Sequence, residues 1–375
     1  MVEERRHSGS RFNEPRKYSL NALTMTDTPL SAANAIKVKV VSRSLRSDPR
    51  SPLARQMLSG WAEKRGLHFI FDVDAPEYDW LVVYENLPAA RGERRPMRIE
   101  QLACPRENTI LLTTEPSSIK IYSRAFTRQF GYVVTSQEPF ALRHPRRIWS
   151  QAGLLWFYGI GQDHSLTADE IAATFPEKTQ MLATVCSTKR QGHTLHRLRY
   201  DFTQYAASKV PEMQIFGRGH HPLDDKAEAI DSFRYHLAIE NHVAPHHFTE
   251  KLADPFLGLS LPFYFGAPNA ADYFPPDSFI PIDIRQPEKA IEVMREAMAN
   301  NEYEKRLPAI KEARRRILEE HSLYPLLERI ILAHPQSRTE TEVSGVLRSH
   351  RASQRSAPLS SAMDFLFREA LHLKN

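Results

Sequence analysis

Two cysteines, Cys104 and Cys186, are all that the 375 residues contain. That is too few for a disulfide framework and their spacing fits no metal motif, so both read as free thiols of a cytoplasmic protein. Long hydrophobic runs are missing as well. The longest, such as Trp80-Leu81-Val82-Val83-Tyr84, fall well short of the roughly 20 residues that cross a bilayer. The N-terminus, Met1-Val2-Glu3-Glu4-Arg5-Arg6, has no apolar core of the secretory kind. Charge of one sign is in mild excess, +5, and the basic clusters at 91–95, 143–147 and 314–316 fall on separate elements. A nucleic-acid interface would gather such residues on one face with aromatics between them, so no nucleic-acid partner is expected. No internal repeat is evident.

What is present is the composition of an ordinary soluble protein, 41% hydrophobic and 25% charged, in a chain long enough for two domains. Residues 1–34, rich in Arg, Ser, Asn and Pro, read as an unpacked arm. From Ala35 onward, short β-branched runs (35–41, 67–72, 79–84, 109–114 and 132–135) alternate with helical candidates at 50–66 and 119–130. That alternation predicts a parallel, Rossmann-like sheet. After an aromatic-rich bridge the pattern restarts, with strands at 181–187 and 213–217, a helix over 193–207 and a short helix at 226–230. The boundary is placed near residue 165, giving a domain at 35–165 and a second at 166–334, closed by helices over 287–300, 303–321 and 323–334. Residues 335–360 read as a Ser/Arg/Gln linker. An amphipathic helix at 361–375, with Met363, Leu366, Phe367, Ala370 and Leu371 on one stripe, either docks on the body or touches a membrane surface.

The chain is organised around residues 233–266. Tyr235 to Ile239 has the pattern of a strand end, followed by Glu240-Asn241 and a polar loop through His247. Thr249 can cap a helix that begins Glu250-Lys251, and Leu261 to Phe265 reads as a second buried strand stopping at Gly266. A loop between strand and helix at the carboxyl edge of a parallel sheet is where open α/β folds bind nucleotides. Helix N-termini favour an anion there.

These blocks, Leu237-Ala238-Ile239-Glu240-Asn241, Thr249-Glu250-Lys251-Leu252, Leu261 to Gly266 and Pro276-Asp277-Ser278-Phe279-Ile280, resemble the donor-site signature of the α1,3/4-fucosyltransferases, glycosyltransferase family ten, in a bacterial form. The resemblance spans residues 180–284. It implies a GT-B fold, two Rossmann-like domains facing a cleft with C-terminal helices. It also implies an inverting enzyme that moves fucose from GDP-fucose to a hydroxyl of a saccharide or glycolipid such as a lipopolysaccharide precursor, in the cytoplasm or peripheral to the inner membrane. GDP-fucose would be the donor substrate and no cofactor is expected. Two other readings stay open: the same fold serving another nucleotide sugar, and a non-catalytic nucleotide- or glycan-binding protein.

Sugar transfer from a nucleotide diphosphate needs a base for the acceptor hydroxyl and stabilised charge on the departing diphosphate. No Asp-x-Asp is read as a metal bridge, so no metal is expected and fixed cations must serve. Lys251 is one. The second is Arg199, with Phe202 three residues on, or Arg197, with Tyr200 at the same spacing; Arg199 is preferred. Arg234 stands where the family carries Lys. By the resemblance, Asn241, His247 (Tyr in the family) and Glu250 hold the nucleotide and sugar. By the same resemblance, Glu115, in the turn Glu115-Pro116-Ser117-Ser118 after a buried strand, matches the Glu of the family's Glu-Ser-Pro turn and is the candidate base. Histidines 220, 221, 242, 246 and 247 lack zinc-site spacing. Pro255 should kink or shorten the helix capped by Thr249.

Overall fold

The computed structural model describes residues 35–43, 52–89, 93, 96–189, 194–333, 345–358 and 366. The expected arm at 1–34 lies outside them, as does the expected helix at 361–375 apart from Leu366.

The first half runs β1 (Ile36–Ser42), β2 (Leu67–Ile70), β3 (Trp80–Tyr84), β4 (Ile99–Gln101), β5 (Thr109–Thr113), α1 (Arg124–Thr127), β6 (Tyr132–Thr135) and β7 (Arg147–Trp149). Six of these strands form one sheet in the order β2-β1-β3-β5-β6-β7, parallel throughout. The central strands β3, β5 and β6 are buried at every position, which is why they read as unbroken apolar runs rather than alternating ones.

The second half runs α2 (Ala168–Ala173), β8 (Gln180–Val185), α3 (His196–Lys209), β9 (Met213–Phe216), β10 (Phe233–Ile239), α4 (Glu250–Leu257), β11 (Leu261–Phe265) and β12 (Ile280–Pro281). Then follow α5 (Pro287–Ala299), α6 (Glu302–Arg316) and α7 (Leu323–Ala333). Its sheet is ordered β12-β11-β10-β8-β9, again parallel. In both sheets the chain steps first to one side and then to the other of its starting strand. Each therefore has a switch point beside that strand, between β1 and β3 and between β8 and β10, where open α/β sheets bind ligands. The expected pair of Rossmann-like domains is what the structure has.

Several local expectations differ. Residues 50–66 form two 3-10 turns, Ala54–Gln56 and Glu63–Arg65, because Gly60 takes φ +68° between them. Only Arg124–Thr127 of the 119–130 run is helical, since Ser123 is extended and caps a new start by accepting from Phe126 N. α4 does hold Pro255 and runs only eight residues. α7 was assigned to the second domain, yet Leu323, Tyr324, Leu327 and Ile331 pack into the core of the first, with Val38, Trp80 and Leu112.

The 335–360 linker is also corrected. Within it, β13 (Val346–Arg348) pairs antiparallel with β4, and α8 (His350–Ser356) sets His350 against Phe126 and Tyr122. Only three residues long, β13 was too short to show a period in sequence.

Because Leu327 is fully buried in that first-domain core, Leu327→Ala should cost about 2–5 kcal/mol. Urea denaturation followed by Trp61 and Trp80 fluorescence would measure it, and a loss below about 1 kcal/mol would detach α7 from that core.

Candidate active site

A cavity of about 570 Å3 lies between the two sheets, within the ordinary range for small-molecule sites. The first domain lines it with Tyr84, Glu85, Thr113, Thr114, Glu115, Pro116, Ser136 and the 151–157 stretch. The second lines it with Lys189, His196, Glu240, Asn241 and the run 247–251. A smaller pocket of about 100 Å3 adjoins it through Glu250 and Lys251 and reaches Arg199, Lys226, His236 and Asp254.

On the second-domain side the geometry starts from Glu240, which has no solvent exposure. Thr249 donates to it from its backbone N at 2.7 Å and from its hydroxyl at 2.8 Å. Burial raises the Glu240 carboxyl above its ordinary range, with Lys251 pulling the other way. Thr249 is also the N-cap of α4, accepting from Lys251 N, so the clasp on Glu240 turns the start of that helix into the cavity. Gly266 is needed here: a Cβ on it would come within 2.6 Å of Glu240 Cγ.

Lys251 Nζ stands 3.0 Å from Glu250 and 3.6 Å from Glu240. Burial disfavours its charge, but those two carboxylates outweigh it and hold the ammonium above its ordinary pKa. Glu250 goes the other way: despite burial, Lys251 and Lys226 keep it ionised well below the usual carboxylate range. Arg199 donates to Asn241 Oδ1 at 2.8 Å and to the Val185 carbonyl at 3.0 Å. It thereby ties together the ends of β10 and β8, the two strands flanking the switch point. His247 is buried and held neutral, its pKa pushed down to about 3 by burial and then by His242 and Lys251.

On the facing side, Glu115 follows β5. Burial, aided by Glu85, raises its pKa, while Lys120 and Lys251 pull it back. Glu85 pairs with Lys120 at 2.9 Å and sits at φ +69°, a backbone state that non-glycine residues adopt rarely and chiefly at functional sites.

The structure thus gathers Glu115, Asn241, His247, Glu250 and Lys251 around the large cavity, sets Arg199 on the smaller pocket that adjoins it, and leaves two expected residues out. Arg197, two positions from Arg199, points away from it on the helix, 75% exposed and 3.7 Å from Asp201. Arg234 lies at the start of β10, five residues and about 16 Å from the strand's carboxyl end, in a surface pair with Glu304. Both are corrected to surface residues. Sequence reasoning missed Lys226, which bridges Asp254 at 2.7 Å and Glu250 at 3.6 Å. It also missed Glu85, although Glu85-Asn86 ends β3 as Glu240-Asn241 ends β10.

An Asp-Val-Asp does occur at 72–74, outside the donor half. Asp74 there is 84% exposed and paired with Arg98. Among the described residues no three His, Cys, Asp or Glu side chains converge as a metal-binding group. No helix among them is long and apolar enough to cross a membrane. A separate depression of about 620 Å3 between α3 and α5, lined by Lys209, Glu288 and Arg295, lies about 15 Å along α3 from Arg199 and away from any strand end.

Two parallel sheets that face one cavity with their strand ends form an α/β fold of the GT-B kind. Comparison with known proteins narrows this: residues 175–306 match the model described as Glycosyltransferase family 10 (fucosyltransferase) C-term. The resemblance carried by the four blocks is borne out over those residues.

Over 112 residues the chain is 33% identical to 4-galactosyl-N-acetylglucosaminide 3-alpha-L-fucosyltransferase FUT6 of Pongo pygmaeus, covering 28% of this chain and 30% of that protein. It is 32% identical over 112 residues to the FUT5 enzyme of Hylobates lar, covering 28% of each. The match therefore spans under a third of these relatives' length. A crystal structure of alpha1,3-fucosyltransferase with GDP-fucose superposes with a TM-score of 0.44 at 15% identity, covering 82% of this chain and 95% of that one.

Thr249→Val removes the hydroxyl donor from the buried Glu240 carboxylate while keeping the side chain's shape. It should cost about 1–3 kcal/mol in urea denaturation at neutral pH, and an unchanged midpoint would show that Thr249 does not hold Glu240.

Proposed function

We propose that the chain transfers fucose from GDP-fucose to a hydroxyl of a saccharide or glycolipid acceptor, with inversion at the transferred carbon. The observation that carries this reading is the cavity itself. It has a carboxylate of raised pKa on one wall and a fixed cation, Lys251, at a helix N-terminus on the other, in a chain whose second domain matches a fucosyltransferase family model.

Glu115 is the base. It takes the acceptor hydroxyl proton as the oxygen attacks the anomeric carbon, and the bond from that carbon to the diphosphate oxygen breaks on the opposite face. GDP leaves with the bonding electron pair. Arg199 and Lys251 stabilise the charge that grows on the diphosphate, Arg199 through a planar fork suited to phosphate oxygens. The N-terminus of α4 adds its backbone N–H groups and dipole. Before the donor arrives, Lys251 is held by Glu250 and Glu240. That keeps the ammonium in place, so little reorganisation accompanies charge development. Asn241, whose Oδ1 accepts from Arg199, donates its amide N–H to sugar and phosphate oxygens, and Glu250, oriented by two lysines, accepts from nucleotide and sugar hydroxyls.

His247 in place of the family Tyr favours one second reading, the same fold serving a different nucleotide sugar. Calorimetric titration with GDP, UDP and their sugars decides between them. GDP and GDP-fucose are expected to bind, and preference for a uridine nucleotide would replace the donor.

Glu115→Gln should lower transfer by about 10²–10⁴-fold, the usual weight of a general base, while leaving the Kd for GDP unchanged. The base works as the carboxylate, and its pKa is raised. In the unmodified protein, kcat/KM should therefore fall on acidification at a pH above the ordinary carboxylate value, and this limb should vanish in the variant. Arg199→Ala should weaken GDP binding by about 10-fold or more, as expected for loss of a charged hydrogen-bond partner. Arg197→Ala should leave it unchanged, and equal losses in the two would reverse their assignment.

A further inference from the structure

His242 belongs to the second domain but spends both ring nitrogens on the first. Its Nδ1 lies 3.1 Å from Ser118 Oγ and its Nε2 lies 3.1 Å from Glu138 Oε1. Ser118 ends the Glu115-Pro116-Ser117-Ser118 turn, and His242 directly follows Asn241. One imidazole therefore joins the segment carrying the base to the segment carrying the donor ligand.

We propose that His242 is a positioning residue. Through Ser118 and Glu138 it locks the Glu115 turn in register with the Asn241 strand end across the two domains. The inference rests on the reading of Glu115 and Asn241 as parts of one transferase site.

The surroundings fit a clamp rather than a reacting group. Ser118 is buried, and the His242 and Glu138 side chains are 16% and 19% exposed. None of the three lines the main cavity, although their neighbours Glu115, Ser136, Asn241 and His247 do. His242 stands outside the cavity lining, beside residues that form the wall, and is placed to set the wall's position.

The residues around it are tied in turn. Gln137 donates to the carbonyls of Glu115 and Lys120, each at 2.8 Å, which pins residues 136–138 to the Glu115 turn. His247, edge-on to His242 with centroids 5.4 Å apart, lies 3.1 Å from Ser136 Oγ. The loop 242–247 thus grips the first domain at both its ends. Glu138 stays ionised to receive an N–H from the ring. Burial works against its charge, but the hydrogen bonds from His242 and Ser117 and its own backbone hold its pKa at about 2. With Nε2 facing the Glu138 carboxylate, Nδ1 is left facing the Ser118 hydroxyl.

Misplacing a reacting group by about 1 Å costs on the order of 100-fold in rate. His242→Ala should therefore lower kcat by about 10–100-fold while KM for GDP-fucose and Kd for GDP stay within about twofold, because no donor contact is lost. His242→Gln, which can still donate to Glu138, should recover most of the loss. Hydrogen exchange gives a readout independent of activity: in His242→Ala the amides of 115–120 and of 240–243 should both exchange faster, with amides in the core of either sheet unchanged.

A kcat within twofold of the unmodified protein, or a parallel rise in KM and in Kd for GDP, would overturn the proposal. So would unchanged exchange at 115–120 in a variant that keeps its melting temperature. If His242→Ala does not fold, Ser118→Ala carries the same test from the other side of the contact, with the same outcomes read. If the unmodified protein neither binds GDP nor transfers fucose, the functional reading fails, and the exchange experiment still decides whether His242 couples the two segments.

Discussion

The site depends on one buried carboxylate. Glu240 has no water around it, so its charge must be met by the protein, and Thr249 meets it with two donors while Lys251 stands 3.6 Å away. An unmet buried charge costs several kcal/mol, so the chain from Asn241 to His247 has little freedom: it must leave the strand at Glu240 and return nine residues later to satisfy it. That return places Thr249 as a helix cap, aims the N-terminus of α4 at the switch point and sets Glu250 and Lys251 at the cavity. His246 takes φ +65° inside this loop, and its ring is held by Tyr273 at 2.6 Å and by the edge of Trp149. Backbone strain of this size persists only where neighbours over-determine it.

From that anchor the charges alternate across the site. Glu240, Lys251, Glu250, Lys226 and Asp254 form a chain in which each lysine stands between two carboxylates. A buried ion-pair network adds little to stability, because desolvation offsets its Coulomb energy. What it does fix is geometry. The Lys251 ammonium is held in place at the cavity wall by Glu240 and Glu250, as the proposed diphosphate site requires. Arg199 completes the set by bridging the ends of β8 and β10, so the cation at the switch point is held by the sheet rather than by a flexible loop.

How far all this could be read from residues alone follows from the range over which each signal acts. The four blocks that revealed the donor half are local: a strand end, a cap and a buried strand carry their chemistry within about 30 residues. Choosing Arg199 over Arg197 needed only helix phase, because positions two apart point to nearly opposite sides. Arg234 failed for a reason of the same kind. It is on the right strand but at the wrong end, and sequence adjacency to the Leu237–Asn241 block does not tell which end faces the cleft. Lys226 and Glu85 enter through tertiary contacts with Asp254 and Lys120, and no spacing announces such pairs. The 335–360 stretch was misread because a three-residue strand and a short helix fold only against β4 and α1, far away in the chain.

The same distinction bears on what a two-domain transferase requires of its sequence. Each half can build its own wall from local signals, but the reaction needs the walls in register to within about an ångström. Register between domains cannot be set by either sheet. It falls to the few side chains that cross the gap, and in this chain His242 and His247 are among them, the second where the family pattern has Tyr. Imidazole has two nitrogens on a rigid ring and can hold two partners at fixed separation. The departure from the family pattern at His247 therefore does not weaken the site. On the reading proposed above, the two histidines move part of the work of holding the base opposite the donor from the sheets to the loop between them.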